Sequence, residues 1–228
     1  MALPAVLRRG ERAQRLTVRE PPLLYFAIAA ETLPLVAAGV LRRGGRGARG
    51  WVLAWCGLLT AGNLTQAWLG GHGINNLWIS YVVNPAGGAL VLWALSCWLT
   101  REMPRLTMRL MIVPFLVVWA VLALAFDRAS TFSRAAEPLA NLVCLGAAAF
   151  TLVARSRTSS ADLMRQDWFW VSAGMTLYFG TLATRSPLSA LLVSSDPALM
   201  VRAYEVAAAL CIGAFLAITR GVTCPTSS

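Results

Sequence analysis

Lysine is absent from the chain, and histidine occurs once, at position 72. Without lysine no retinal Schiff base can form. With one histidine, set in the short glycine-rich gap 70–77, neither a zinc-ligand cluster nor a Ser-His-Asp triad has its parts, and no G-x-S-x-G elbow occurs. His72 reads as a solvated turn residue. Cys56, Cys97, Cys144, Cys211 and Cys224 stand singly, with no C-x-x-C pair, and read as small core residues. The glycines of 44–50 are interrupted by arginines, so no phosphate-binding loop or dinucleotide fingerprint is present. These absences remove the usual parts of metal hydrolysis, thiol redox chemistry and nucleotide use. The expectation is a protein that is not an enzyme, with no cofactor, no metal and no catalytic residues. Charge is scarce as well: 13% of residues are charged, against about 25% in a typical soluble domain.

Apolar residues are abundant. They make up 57% of the 228 residues, and the mean hydropathy is +0.62. A bilayer core about 30 Å thick needs roughly 20 apolar helical residues, with about 17 as a lower limit. Seven stretches reach that length, near 23–41, 51–69, 78–99, 110–126, 138–154, 168–184 and 199–219. The predicted fold is all-α, a polytopic integral membrane bundle of seven transmembrane helices. Residues 1–20 form a basic leader, interfacial or disordered; 21–220 form the transmembrane domain; 221–228 form a short cytoplasmic tail. The leader has no apolar segment of its own and so does not read as a cleavable signal.

The net charge of +10 comes entirely from arginine on the basic side, and most of it sits in gaps between apolar runs. That pattern reads as topology, not as a nucleic-acid surface. Arg42, Arg43, Arg46, Arg49, Arg101, Arg105, Arg109, Arg155, Arg157, Arg165 and Arg220 fall on one face. Arg128, Arg134, Arg185 and Arg202 fall on the other, joined by the five arginines of the leader. The first face is expected to be cytoplasmic, with the amino terminus outside, in a bacterial inner (plasma) membrane. Trp51, Trp55, Trp98, Trp168 and Trp170 near one set of span ends, and Trp68 and Trp78 near the other, read as headgroup anchors. Trp93 and Trp119 lie deeper and read as packing.

Polar residues inside the spans are costly in lipid, at least ~2.5 kcal/mol for a charge at mid-bilayer. Glu31 lies near mid-depth, and Asn63, Gln66, Asn84, Asn141, Tyr178, Arg185, Arg202 and Glu205 lie in the outer halves. The inner halves offer mainly Thr60, Ser96, Thr100, Thr151 and Ser172, which can bond to their own helix. This one-sided polarity predicts an outward-facing pocket for a small ligand or lipid, with Glu31, Asn63, Gln66, Asn84, Tyr178, Arg185 and Glu205 as ligand-binding residues. Asn84-Pro85 with Gly87 and Gly88, and Pro34, are expected to loosen their helices at that level. The competing reading is structural: amides as interhelical glue, a Glu31 or Glu205 pair with Arg185, and a local Arg202–Glu205 bridge. The inner loop 155–167 mixes charges with Ser and Thr and is the expected surface for a separate signalling partner.

Ala29-Ala30-Glu31 with Pro34-Leu35 at the first span is echoed by Ala135-Ala136-Glu137 with Pro138-Leu139 at the fifth. The echo fits a parallel three-plus-one-plus-three repeat. In topology alone the chain resembles SWEET-type sugar transporters, whose seven helices form parallel repeats. The resemblance extends to almost no residues, since the second and sixth spans lack proline and the seventh offers Glu205 where an amide is expected. It implies small-solute transport as an alternative to a sensor or receptor-like role. A non-catalytic scaffold or accessory subunit is the third reading.

Overall fold

The computed structural model describes residues 22–41, 47–127, 133, 135–159, 162–192 and 197–224. The leader 1–20, Arg42, Arg43, Arg46, Arg128 and Arg134 lie outside the described residues. Among those described, eight α-helices occur and no strand: α1 (Pro22–Val40), α2 (Ala48–Gly71), α3 (Ser80–Trp98), α4 (Glu102–Leu110), α5 (Ile112–Phe126), α6 (Ala136–Ser156), α7 (Asp167–Leu192) and α8 (Pro197–Thr223). Helix is what such apolar runs must form, because it satisfies every backbone N–H and C=O without water.

Four helical stretches are long and apolar enough to cross a membrane: Leu77–Trp98, Glu102–Phe126, Ala136–Ser156 and Val201–Thr223. Phe26–Val40 is apolar but shorter. The remaining long helices, α2 and α7, have their hydropathy lowered by residues such as Asn63, Gln66 and Asp167. Of the seven spans expected from the sequence, four are thus long and apolar enough among the described residues, and α1, α2 and α7 fall short of that measure. Two of these, α1 and α2, carry Glu31, Asn63 and Gln66. Two boundaries also shift. The gap after the third span is itself a helix, α4, and α8 continues to Thr223, so residues 221–223, expected in the tail, are helical.

The packing order follows the chain. α1 lies against α2 and α8, α2 against α3, α3 against α6, α6 against α7, and α7 against α8, so six helices close a ring. α5 stands outside it, touching α3 and α6. Its fifteen residues include no charged or hydrogen-bonding side chain other than Trp119, and Val113, Val117, Val121, Leu124 and Phe126 are exposed. An apolar helix with so much uncovered surface requires lipid or another protein around it.

The core runs through the ring centre: Trp55, Leu92, Leu95, Val171, Met175, Phe215 and Ile218 are all fully buried. α7 and α8 approach most closely where side chains are absent. A Cβ on Gly174 would come within 2.7 Å of the Ala214 carbonyl oxygen, and one on Gly221 within 2.6 Å of Val171 Cγ2. Small residues permit this backbone approach where no hydrophobic force drives helices together. Gly88 acts similarly, its Cβ position lying 2.7 Å from Phe115 Cζ. The proline and glycine of α3 thus do not loosen it: the helix runs unbroken through Pro85, and Gly87 and Gly88 admit neighbouring aromatic rings. α1 likewise continues through Pro34.

Two tryptophans expected at headgroup depth are core residues instead. Trp55 and Trp168 are each 1% exposed, whereas Trp51, Trp68 and Trp78 are exposed as anchors would be. Trp93, expected to pack at depth, sits at the surface, edge-on to Trp51 and under the Arg109 guanidinium, 4.5 Å from its ring. Arg49, Arg101, Arg109, Arg155 and Arg157 gather at one end of the bundle. Arg49 Nε donates to Asp167 Oδ2 at 2.9 Å, tying α2 to α7, and Arg109 Nε donates to Ser96 Oγ at 3.0 Å.

Candidate functional site

A cavity of about 280 Å³ opens within the ring, at the end away from the Arg49–Asp167 pair. Its walls are regular helix faces. α2 presents Leu59, Gly62, Asn63 and Gln66, and α8 presents Tyr204, Ala207, Ala208 and Cys211; both sets follow the i, i+3, i+4, i+7 stripe of one helical face. α1 adds Ala27, Ile28 and Glu31; α3 adds Ser80, Val83 and Asn84; α6 adds Glu137; α7 adds Tyr178 and Leu182. Every helix of the ring contributes.

Glu31 sits in this wall at 8% exposure. Its Oε2 accepts a hydrogen bond from Asn63 Nδ2 at 2.6 Å, joining α1 to α2. Among the described residues no cation pairs with it. Gln66 is held in two ways: its Nε2 donates to Ser80 Oγ at 2.7 Å, and its backbone carbonyl accepts from Asn76 Nδ2 at 2.7 Å. Asn76 belongs to the turn between α2 and α3, which Gly73 enters at φ 70°, the left-handed region glycine tolerates.

Below the polar wall lies an aromatic floor. Tyr178 packs edge-on against Trp55 at 5.6 Å and Phe215 at 5.2 Å, and Trp55 stacks on Phe215 at 6.0 Å. Asn84 reaches from the main cavity into a smaller one of about 50 Å³, which it shares with Asn141. Asn141 is 5% exposed and its Nδ2 has no hydrogen-bond partner among the described residues. A buried donor of this kind is normally satisfied by water or ligand, and a space of this size admits a water molecule.

Comparison with known proteins returns no match. No protein family, no curated sequence and no solved structure is significantly similar to this chain.

Of the residues expected to form a site, Glu31, Asn63, Gln66, Asn84 and Tyr178 line this one cavity. Glu205 does not. It is exposed and lies one residue, about 100° of helix rotation, off the stripe begun by Tyr204. Arg202 is exposed too, and no ion pair joins it to Glu205 among the described residues. The side chain of Arg185 lies outside the described residues, and the partner found for Glu31 is the Asn63 amide. Sequence reasoning overlooked Glu137, Ser80 and Tyr204. The signal for Glu137 was present in its Ala-Ala-Glu echo of Glu31, and the signal for Tyr204 in the small-residue stripe below it.

The rest of the polar inventory is local. His72 is exposed in its turn, with Nδ1 2.8 Å from the Trp68 carbonyl oxygen. Ser96 and Thr151 donate to carbonyls of their own helices, as expected, but the hydroxyls of Thr60 and Ser172 are buried without partners among the described residues. Among the described residues no three His, Cys, Asp or Glu side chains group to hold a metal.

Proposed function

We propose that this chain is a seven-span membrane protein that binds a small ligand from the outer side, in the cavity around Glu31, as a sensor or receptor-like module. The observation that carries the reading is the carboxyl group itself. Glu31 is buried, partnered among the described residues by an amide alone, and faces a cavity large enough for a small molecule. An uncompensated buried carboxylate destabilises the bundle unless a cation or several donors approach it. Glu137 and the ring of Tyr178 on the same wall favour the same ligand chemistry, an amine or another compact cation. The gathering of arginines at the opposite end supports placing that end in the cytoplasm. A separate chain docking on the loop 155–167 would complete a signalling role.

The test is mass spectrometry of small molecules and lipids that co-purify with the wild type and with a folded Glu31→Gln variant. A specific molecule retained by the first and lost from the second is the expected result. Identical inventories would overturn the reading and leave Glu31 and Asn63 as glue between α1 and α2.

Transport of a small solute is a second reading, and the placement of Glu31 and Glu137 favours it. Replacing α1, α2 and α3 by α6, α7 and α8 maps the ring of contacts onto itself, with α5 as the outlying linker. Glu31 and Glu137 then stand on corresponding helices and line one cavity, as parallel repeats would place a central site. Net flux of the retained molecule in proteoliposomes separates a carrier from a sensor.

A further inference from the structure

A second, larger cavity of about 480 Å³ lies at the arginine-rich end, between the α3–α4 junction and the last turns of α6. Its lining combines two chemistries: Arg101, Arg155 and Arg157 on one hand, and the apolar Pro104, Phe150 and Val153 on the other. Phe150 on α6 and Arg157, the residue that caps its end, are seven residues apart, roughly 10 Å along the helix axis, which matches the step from a lipid's phosphate to its upper acyl carbons.

None of the three arginines is ion-paired among the described residues. Arg155 is the most constrained: its guanidinium lies over the Trp168 ring at 5.4 Å, and its Nε is buried with no hydrogen-bond partner. The Asp167 carboxylate at the start of α7 is already engaged by Arg49. A buried guanidinium N–H with no hydrogen-bond partner among the described residues, beside two exposed arginines, is a donor set suited to an anion. Phe150 and Val153 continue the cavity as uncovered apolar surface, which a soluble anion would leave bare.

We infer that this cavity holds one anionic glycerophospholipid, its phosphate between Arg101, Arg155 and Arg157 and an acyl chain along Phe150 and Val153. Basic pockets between transmembrane helices at the cytoplasmic side recognise such headgroups. The site is separate from the Glu31 cavity and stands whether or not that cavity binds a ligand; it requires only that the chain lie in a bilayer.

The test is native mass spectrometry of the full chain in detergent with dioleoyl phosphatidylglycerol, dioleoyl phosphatidylcholine, or glycerol 3-phosphate as the probe. Phosphatidylglycerol is expected to bind at least about tenfold more tightly than phosphatidylcholine, because each arginine near the headgroup adds its own attraction. The double variant R101Q/R157Q changes only exposed side chains, so it should keep its helicity and lose that preference. Glu31→Gln should retain it. Equal binding of the two lipids, or a double variant that still prefers phosphatidylglycerol, overturns the proposal. Displacement of the lipid by equimolar glycerol 3-phosphate also overturns it, by showing a site for free anions.

Discussion

The two halves of the helix ring are built for different ends. At the Trp55 level Val52, Leu92, Leu95, Val171, Met175, Phe215 and Ile218 are fully buried and interdigitate around one aromatic stack. Two turns away, toward Gln66, the same helices separate around a cavity lined by carboxyl, amide and hydroxyl groups. The packed half supplies stability and tolerates little change. The open half sacrifices packing to present polar groups, and its side chains should be replaceable without unfolding the protein. That contrast is what a binding site on a rigid support requires.

The largest expected effect breaks the support. Trp55→Ala removes the ring that meets Tyr178, Phe179 and Phe215, and large-to-small core changes of this kind cost about 3–5 kcal/mol; thermal denaturation in detergent should show a pronounced fall in Tm. Overpacking comes next. Gly174→Val forces a side chain against the Ala214 carbonyl and Ile218, with an expected loss of roughly 1–3 kcal/mol, measured in the same way. A wild-type melting curve from either variant would show that the helices do not pack as closely as described.

The Arg49–Asp167 pair sharpens the comparison at a third level. Its side chains are 11% and 23% exposed, between the surface and buried limits, so a double-mutant cycle of Arg49→Ala and Asp167→Ala should give a coupling of about 1–2 kcal/mol. The smallest effect on stability belongs to the cavity. Glu31→Gln keeps a group able to accept from Asn63 while removing a charge from the interior, so its stability should lie within about 1 kcal/mol of the wild type. A loss as large as that of Trp55→Ala would make Glu31 a structural residue and dissolve the distinction between the halves.

Sequence and structure agree where one residue type decides the matter. Carboxyl, amide and phenol groups inside apolar runs are costly enough that Glu31, Asn63, Gln66, Asn84 and Tyr178 could be grouped before any contact was known. Helix existence was legible for the same reason. What escaped the sequence depends on rotation and neighbours. Glu205 and Tyr204 are adjacent in the chain, yet only Tyr204 faces the cavity. Trp55 resembles an interfacial anchor by its distance from Arg49, and becomes the centre of the core only because α7 and α8 close over it. Gly88 looks like a flexible point until Phe115 is placed against it. The larger basic cavity was invisible for a similar reason, since Arg101 just before α4 and Arg155 in the last turn of α6 meet only in the folded ring.

The central claim is that the cavity at Glu31 is a ligand site and not an accident of packing. The most direct measurement is thermal unfolding of the wild type and Glu31→Gln, in detergent, across a panel of small primary and quaternary amines. A ligand present at a hundred times its Kd stabilises the folded state by about 2.7 kcal/mol. The account predicts that at least one amine raises the Tm of the wild type by several degrees and leaves the Glu31→Gln variant unmoved. Parallel curves for the two proteins across the whole panel would contradict it.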